Sequence, residues 1–146
     1  MSGLLLLAHI GGRKAAFRAQ DIGSIVELTD IVPVPRAPDF IAGLAALRSK
    51  ALTVIDSRKA LGLPAPAAAA DGRAPVVEID GYSYALLVDR VEDIASAIGE
   101  PAPLPATLGS DWTRIAHGLV ETSAGPAILV DVTALIAGPR AAQPLK

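Results

Sequence analysis

Several residue types are absent or scarce in this chain of 146 residues, and each absence excludes a class of function. The chain has no cysteine, so disulfide scaffolds, thiolate metal sites, iron–sulfur clusters and cysteine nucleophiles are excluded. Aromatic residues make up 3% of the sequence, and the core must therefore be built from alanine, valine, leucine and isoleucine. A formal net charge of −2 offers no positive surface to a phosphate backbone, and we expect no nucleic-acid partner.

Long hydrophobic runs are also missing, although 51% of the residues are hydrophobic. The apolar run Leu4–Leu7 is soon followed by His9 and Arg13. A secretory signal needs an apolar stretch of about 7–15 residues, and a membrane span needs roughly 20. We therefore expect a cytoplasmic protein that does not insert into a membrane.

The sequence also lacks the motifs that carry catalysis. Its two histidines, His9 and His117, do not form a metal-binding pair, and it has neither a phosphate-binding loop nor a serine nucleophile elbow. Asp56 and Asp131 occupy equivalent places near strand ends, but neither starts the glycine-containing triplet of aspartic proteases. We expect each aspartate to cap a short helix, because its side chain can accept a backbone N–H there. The sequence thus predicts no enzyme, no metal site and no cofactor.

The most informative feature of the sequence is a weak internal repeat of roughly 70 residues. At one offset, Gly12 aligns with Gly81 and Ile25 with Ile94. At an offset six residues larger, Gly43 aligns with Gly118 and Asp56 with Asp131. The repeat predicts two similar sub-barrels over about residues 3–63 and 74–138, with a Pro/Ala-rich linker at 64–74 and a tail at 139–146. Short strands with closely spaced turns are typical of such small barrels.

Local patterns also predict turns and a further helix. Gly11-Gly12 and Asp80-Gly81 are typical of tight hairpins, because glycine readily adopts the positive φ that such turns need. The spacing of the apolar residues over Val91–Ile98 favours a helix. We expect the charged run at 89–93 to be solvated surface.

A set of ordered motifs runs along the whole chain. In sequence order they are Ile22-x-x-Ile25-Val26-Glu27-Leu28, Pro35-x-x-Pro38, Phe40-Ile41-x-Gly43, Leu47-Arg48, Val54-Ile55-Asp56-x-Arg58, Leu61-Gly62, Val88-Asp89-x-Val91 and a second half from Gly118 to Asp131. Each motif alone is short, but their order and spacing are specific. Over about residues 3–138 the chain resembles the CheW-like coupling proteins of bacterial chemotaxis.

The resemblance implies a fold and a function. The fold is mainly β, with two SH3-like five-stranded barrels and a few short helices. The function is that of a scaffold without catalysis, which couples the cytoplasmic tips of transmembrane chemoreceptors to the regulatory domain of a CheA-type histidine kinase. Such a protein is cytoplasmic and is recruited to membrane-associated receptor arrays, where other CheW-like domains are further candidate partners. Two alternatives stay open: a divergent or accessory CheW-like module of another signalling cluster, and a small-molecule-binding β-barrel.

The resemblance also implies a receptor-binding site on the first barrel. Carried over by position, it consists of Ile25, Glu27 and Arg48, with Glu27 as a candidate ion-pair partner that holds Arg48 in place. The sequence departs from the family pattern next to this site. Ser49 follows Arg48 where the family usually has glycine, and Thr53 stands where proline is common. A glycine at position 49 would accommodate a positive φ, which serine tolerates poorly.

Overall fold

The computed structural model describes residues 3–63 and 72–138, so most of the predicted linker at 64–74 and the predicted tail at 139–146 lie outside the described residues. The described residues contain ten strands: β1 (Leu4–Ile10), β2 (Arg13–Arg18), β3 (Ile22–Glu27), β4 (Ile41–Leu47), β5 (Lys50–Asp56), β6 (Arg73–Ile79), β7 (Tyr82–Leu87), β8 (Arg90–Ala102), β9 (Ala116–Thr122) and β10 (Gly125–Val130). They also contain three short helices: α1 (Ser57–Ala60), α2 (Ser110–Ile115) and α3 (Val132–Ala137). None of the helices in this part of the chain is long and apolar enough to cross a membrane.

The strands form two five-stranded units. The first, which we call the closed barrel, has the strand order β1-β2-β10-β9-β8 and closes on itself. The second, the open sheet, has the order β3-β6-β7-β5-β4, so that β3 and β4 are its edges. The predicted mainly β fold, with two five-stranded units and a few short helices, is confirmed.

The predicted division of the chain into sub-barrels at residues 3–63 and 74–138 is wrong, because each unit takes strands from both repeats. The closed barrel combines β1 and β2 with β8, β9 and β10, and the open sheet combines β3, β4 and β5 with β6 and β7. Two parallel pairings hold the exchanged strands in place, β10 beside β2 and β5 beside β7. The repeat therefore relates equivalent residues, but each unit is completed by strands from the other half of the chain.

The equivalence of the two halves extends to individual contacts. The backbone N–H of Asp56 donates to the carbonyl of Phe40, and the N–H of Asp131 donates to that of Ile115, both at 2.7 Å. Each half has an antiparallel hairpin with a tight turn. Gly11-Gly12 has φ values of 59° and 81°, and Asp80-Gly81 has 54° and 83°. Two consecutive positive φ values define the turn type that best matches the twist of a hairpin.

One local prediction fails at Val91–Ile98, which belongs to the 13-residue strand β8 and not to a helix. Its buried residues include small alanines, Ala95 and Ala97, while Ile94 and Ile98 are about half exposed. The pairing register with β1 also shifts between Leu6 and Ala8, which changes the face that β8 presents. The apolar spacing that suggested a helix therefore mixes residues from two faces of a strand.

The core joins the two units. One cluster of buried side chains draws on both, including Phe17, Ile55, Leu86, Ile115 and Leu135. Smaller clusters fill the closed barrel around Leu7 and Leu129 and the open sheet around Leu52 and Val54. Because the largest cluster is shared, we expect the units to fold as one cooperative structure.

Candidate functional site

The two units differ at the strand pairing that would close each of them into a barrel. In the closed barrel, the N–H of Ser123 donates to the carbonyl of Ser96 at 3.1 Å, and β8 pairs with β9 from there to Ala102. In the open sheet, the equivalent strands β3 and β4 are not paired. A single bridge after β3 joins Val32 to Leu44, with an N–H to carbonyl bond of 2.9 Å in each direction. We call the gap between β3 and β4 the seam.

The seam is a groove of about 460 Å³. Its lining is mostly aliphatic and small, with two acidic residues: Glu27, Leu28, Thr29, Asp30, Val32, Leu44, Ala45, Ala46 and Ala51. Val32 and Leu44 remain 64% and 42% exposed although they form the bridge. The seam therefore presents apolar surface beside negative charge, which is typical of a binding surface more than of a solvated strand edge.

Of the three predicted receptor-binding residues, one lines the seam and two lie in the strand and the turn next to it. Glu27 lines it, Ile25 lies two residues earlier on β3 and is 39% exposed, and Arg48 is exposed in the turn between β4 and β5. By the repeat alignment, Glu27 and Arg48 are the equivalents of Ser96 and Ser123, which close the other barrel. Within the described residues no hydrogen bond or ion pair joins Glu27 to Arg48. Both charges at the seam are thus available to a partner.

The turn that carries Arg48 has an unusual backbone. Arg48 and Ser49 connect the paired residues Leu47 and Lys50, and their φ values are 53° and 69°. Residues with a side chain pay roughly 1–2 kcal/mol for this left-handed conformation, whereas glycine does not. The serine that departs from the family pattern therefore occupies a position whose geometry favours glycine.

The two aspartates considered as a catalytic pair are engaged with backbone. Asp56 is the N-cap of α1 and accepts the N–H of Lys59 at 3.1 Å. Asp131 is the N-cap of α3 and accepts the N–H of Ala134 at 3.3 Å. These bonds satisfy backbone donors at the start of each helix, and they give both carboxylates a structural role.

Asp89 forms a polar link between the two units that the sequence analysis missed. It lies between β7 and β8 and receives two hydrogen bonds from Arg58 of α1, at 2.8 and 3.0 Å. It also accepts the N–H of Gly12, in the first turn of the closed barrel, at 3.1 Å. Its side chain is 18% exposed, so the expectation that residues 89–93 are solvated surface is wrong at Asp89. Both charged residues stood in the family motifs, which was the signal available in the sequence.

The electrostatics of Asp89 follow from these contacts. Burial disfavours the charged carboxylate, but the hydrogen bonds from Arg58, Gly12 and Gly11 and the nearby positive charge outweigh burial and hold the pKa of Asp89 below its ordinary value. The hydrogen bond with Asp89 likewise raises the pKa of Arg58. The pair is therefore ionised at neutral pH and fastens α1 to the closed barrel.

Arg114 of α2 makes a second connection between the repeats. Its guanidinium donates to the carbonyl of Gly138, after α3, at 2.8 Å, and to that of Ala60, at the end of α1, at 3.0 Å. A cation at these positions satisfies the free carbonyls at two helix ends. The helices that end the two halves are thus tied together by one side chain.

A group of charges lies on the closed barrel, away from the seam. His9 Nε2 is 2.9 Å from Glu92, and Arg90 and Lys14 lie 3.5 and 3.8 Å from the same carboxylate. The hydrogen bond with His9 lowers the pKa of Glu92 despite partial burial, and the neighbouring positive charges act in the same direction. Among the described residues no group of three or more histidine, aspartate or glutamate side chains could hold a metal ion.

The closed barrel carries an exposed apolar surface of its own. Leu4, Ile94 and Ile98 are 56%, 49% and 54% exposed, and Leu4 lies opposite Ser96 on the neighbouring strand. We call these three residues the outer patch. Ile94 is the repeat equivalent of Ile25, so each unit exposes an isoleucine at the same position of its fold.

Comparison with known proteins gives consistent results. The family model described as the CheW-like domain matches residues 4–140. The chain is 24% identical over 129 residues to a chemotaxis protein CheW of Rhizobium meliloti, a match that covers 88% of this chain and 83% of that protein. It is 25% identical over 132 residues to a chemotaxis protein CheW of Thermotoga maritima, covering 90% and 86%.

Among solved structures, the chain is similar to the scaffolding protein TtCheW from Thermoanaerobacter tengcongensis. The TM-score is 0.77 and the sequence identity is 27%. The match covers 89% of each chain. The similarity therefore includes both five-stranded units.

Proposed function

Because the chain belongs to the CheW-like domain family, we propose that this chemotaxis coupling adaptor holds the cytoplasmic tips of chemoreceptors and a CheA-type histidine kinase in one complex. It acts by binding two partners at separate surfaces and carries out no chemistry itself. The observation that carries the proposal is the seam, where exposed apolar groups lie beside Glu27 and next to the turn that exposes Arg48. Among the described residues neither charge is paired with the other. In the cell it would be cytoplasmic and recruited to membrane-associated receptor arrays.

The receptor contact is assigned to Ile25, Glu27 and Arg48. A receptor tip is a helical hairpin, and an apolar stripe on such a helix can pack on a half-exposed isoleucine at the edge of a groove. The guanidinium of Arg48 projects from a turn and can pair with a receptor carboxylate through two parallel hydrogen bonds. Glu27 adds a negative charge nearby, so that the site distinguishes partners by charge as well as by shape.

The kinase contact is assigned to the outer patch. A kinase regulatory domain of the same fold would pack barrel to barrel through apolar side chains, and Leu4, Ile94 and Ile98 are exposed on the closed barrel. Exposed apolar groups in such a cluster mark interaction surfaces. The same surface is also available to a further CheW-like domain.

The assignment is tested by alanine substitutions in both units, including the equivalent residues Ile25 and Ile94. We expect Arg48→Ala and Ile25→Ala each to weaken receptor binding by about 1–3 kcal/mol, the range for loss of a charged hydrogen bond or a buried aliphatic anchor. Ile94→Ala is the matched control and should weaken kinase binding while receptor binding is kept. Titration calorimetry with a receptor cytoplasmic fragment and with a kinase regulatory domain measures both affinities for each variant.

Two results would contradict the assignment. If Arg48→Ala and Ile25→Ala bind the receptor fragment as tightly as the parent protein, the receptor does not use this surface. If Ile25→Ala and Ile94→Ala both weaken the same partner by the same factor, the two units do not carry separate surfaces. Thermal unfolding of each variant shows whether a lost affinity comes from a lost fold.

A further inference from the structure

Backbone groups of β3 point into the seam. The N–H of Leu28 donates to the carbonyl of Gly72 at 3.1 Å, which fixes the pairing of β3 with β6. In antiparallel pairing alternate residues bond to the neighbouring strand, so Ile25 and Glu27 direct their N–H and carbonyl groups the other way. Among the described residues, the seam side of β3 has no backbone partner for these donors and acceptors.

The facing strand β4 also directs backbone groups into the seam. Leu44 bonds to Val32 through both its N–H and its carbonyl, so it faces away from β5, and Ala46 faces in the same direction two residues later. Within the described residues Ala46 has no backbone partner on that side. Its repeat equivalent in the closed barrel, Glu121, lies opposite Ile98 in a paired strand. Ala46 thus marks the place where a strand pairing is missing.

The side chains around Ala46 indicate what could pair there. Ala46 and Ala51 are small and leave room, while Val32 and Leu44 supply aliphatic contacts. The charged residues in the lining are Glu27 and Asp30, and both are negative. A segment that enters the seam therefore gains from an extended backbone, aliphatic side chains and positive charge.

We propose that the seam binds a short extended segment of a partner protein, in which aliphatic residues alternate with lysine or arginine, as an added strand paired to β4 at Ala46. This contact uses the backbone of the adaptor, whereas the receptor contact proposed above uses side chains against a helix. The inference therefore goes beyond the proposed function and does not rest on it.

Amide hydrogen exchange tests the pairing directly. The probe is a seven-residue peptide of alternating valine and lysine, added to the full-length protein at known concentrations. In the free protein we expect the amide of Ala46 to exchange at least tenfold faster than that of Leu44, which is bonded to Val32. The peptide should slow exchange at Ala46 at least tenfold. If Ala46 is as protected as Leu44 without peptide, the seam is already closed and the proposal is wrong.

Two variants and two peptides separate strand pairing from other contacts. Ala46→Pro removes the N–H that faces the seam and should weaken peptide binding at least tenfold. The control Glu78→Ala changes an exposed side chain outside the seam lining and should bind within about threefold of the parent. A peptide with alternate N-methyl groups on its pairing edge should not bind the parent protein, and this result holds even if Ala46→Pro fails to fold. A peptide with glutamate in place of lysine should bind at least fivefold more weakly. Equal binding of the N-methylated peptide and the unmodified peptide would overturn the proposal.

Discussion

The closed barrel and the open sheet are built from equivalent strands, yet one is joined along β8 and β9 and the other by one bridge between Val32 and Leu44. Proteins usually block free strand edges, because an unpaired edge can pair with another chain. The closed barrel follows that rule, while the open sheet keeps its edge free and surrounds it with exposed aliphatic and acidic groups. The comparison teaches that equivalent strands can close one unit of a duplicated fold and leave a free strand edge in the other.

The turn between β9 and β10 in the closed barrel also differs from the equivalent turn between β4 and β5 in the open sheet. In the closed barrel the hydroxyl of Thr122 donates to the carbonyl of Gly125 at 2.6 Å and accepts the N–H of Ala124 at 3.0 Å. In the open sheet the equivalent turn holds Arg48 and Ser49 in left-handed conformations. The closed barrel has a turn with satisfied hydrogen bonds, and the open sheet has a strained turn that exposes an arginine.

The largest expected effect comes from replacing equivalent glycines. A Cβ added at Gly118 would lie 2.5 Å from the carbonyl oxygen of Ala102, and one at Gly43 would collide with that of Val32. We expect Gly118→Ala to lower the free energy of unfolding by about 3 kcal/mol, because Ala102 is held in a paired strand. Gly43→Ala should cost about 1–2 kcal/mol, since the single bridge at Val32 can give way. Urea unfolding measures both, and equal losses would show that the seam is as rigid as the closed join.

The next effect concerns the link between the units. Asp89→Ala removes the partner of Arg58 and should lower the free energy of unfolding by about 2 kcal/mol, the range for a lost charged hydrogen bond. The control is Glu78→Ala, whose carboxylate is 61% exposed and 3.6 Å from Lys50, and it should cost at most about 0.5 kcal/mol. Equal losses for the two variants would remove Asp89 as the link.

The pH dependence of stability isolates the same carboxylate. The pKa of Asp89 is lowered in the folded protein, so its contribution is fully present above the unfolded value of about 3.9 and is lost as the pH falls through the lower folded value. Stability should therefore decline from about pH 5 downward. Asp89→Asn should flatten this part of the curve, because the other carboxylates, Glu92 included, contribute equally to both proteins. Parallel urea unfolding curves at pH 3–7 measure the difference, and two curves with the same slope would exclude an ionised, bonded Asp89.

The smallest effect compares the two turns. Ser49→Gly should raise the free energy of unfolding by about 0.5–1 kcal/mol, because glycine relieves the left-handed strain. Part of the stabilisation is lost, because glycine raises the conformational entropy of the unfolded chain. Ala124→Gly, at the equivalent position without a positive φ, should lower it by about 0.5–1 kcal/mol. Thermal unfolding of both variants provides the measurement. Changes of the same sign would mean that the turns do not differ in strain.

Local features of this fold were predictable because they depend on neighbouring residues. The hairpins at Gly11-Gly12 and Asp80-Gly81 follow from the ease with which those residues take a positive φ. The alignment of Gly43 with Gly118 follows from a close approach of backbone that both positions share. The candidate residues Glu27 and Arg48 came from family resemblance, and the structure places Glu27 in the seam and Arg48 in the adjoining turn. Their role in receptor binding stays a prediction.

The remaining features depend on contacts between distant segments. A repeat shows that β3 and β8 are equivalent, but not that β8 pairs with β1 while β3 pairs with β6. The seam exists because β3 and β4 do not pair, and no local sequence pattern predicts that two strands will fail to pair. Asp89 looked like solvated surface because its partners, Arg58 and Gly12, are 31 and 77 residues away in the sequence.

The exchange of strands between the repeats also determines when, during synthesis, the closed barrel can form. The very apolar strand β1 leaves the ribosome before its partner β8, which begins roughly 80 residues later. The barrel also needs β10, which ends at Val130, 112 residues after β2 ends at Arg18. At about 5–20 residues per second, the hairpin of β1 and β2 therefore waits roughly 6–22 s before the barrel can form around it. During that interval a leucine-rich strand edge is exposed on every nascent chain. We expect ribosome-bound chains that stop before β8 to aggregate or to recruit chaperones, and chains that extend past β10 to escape both.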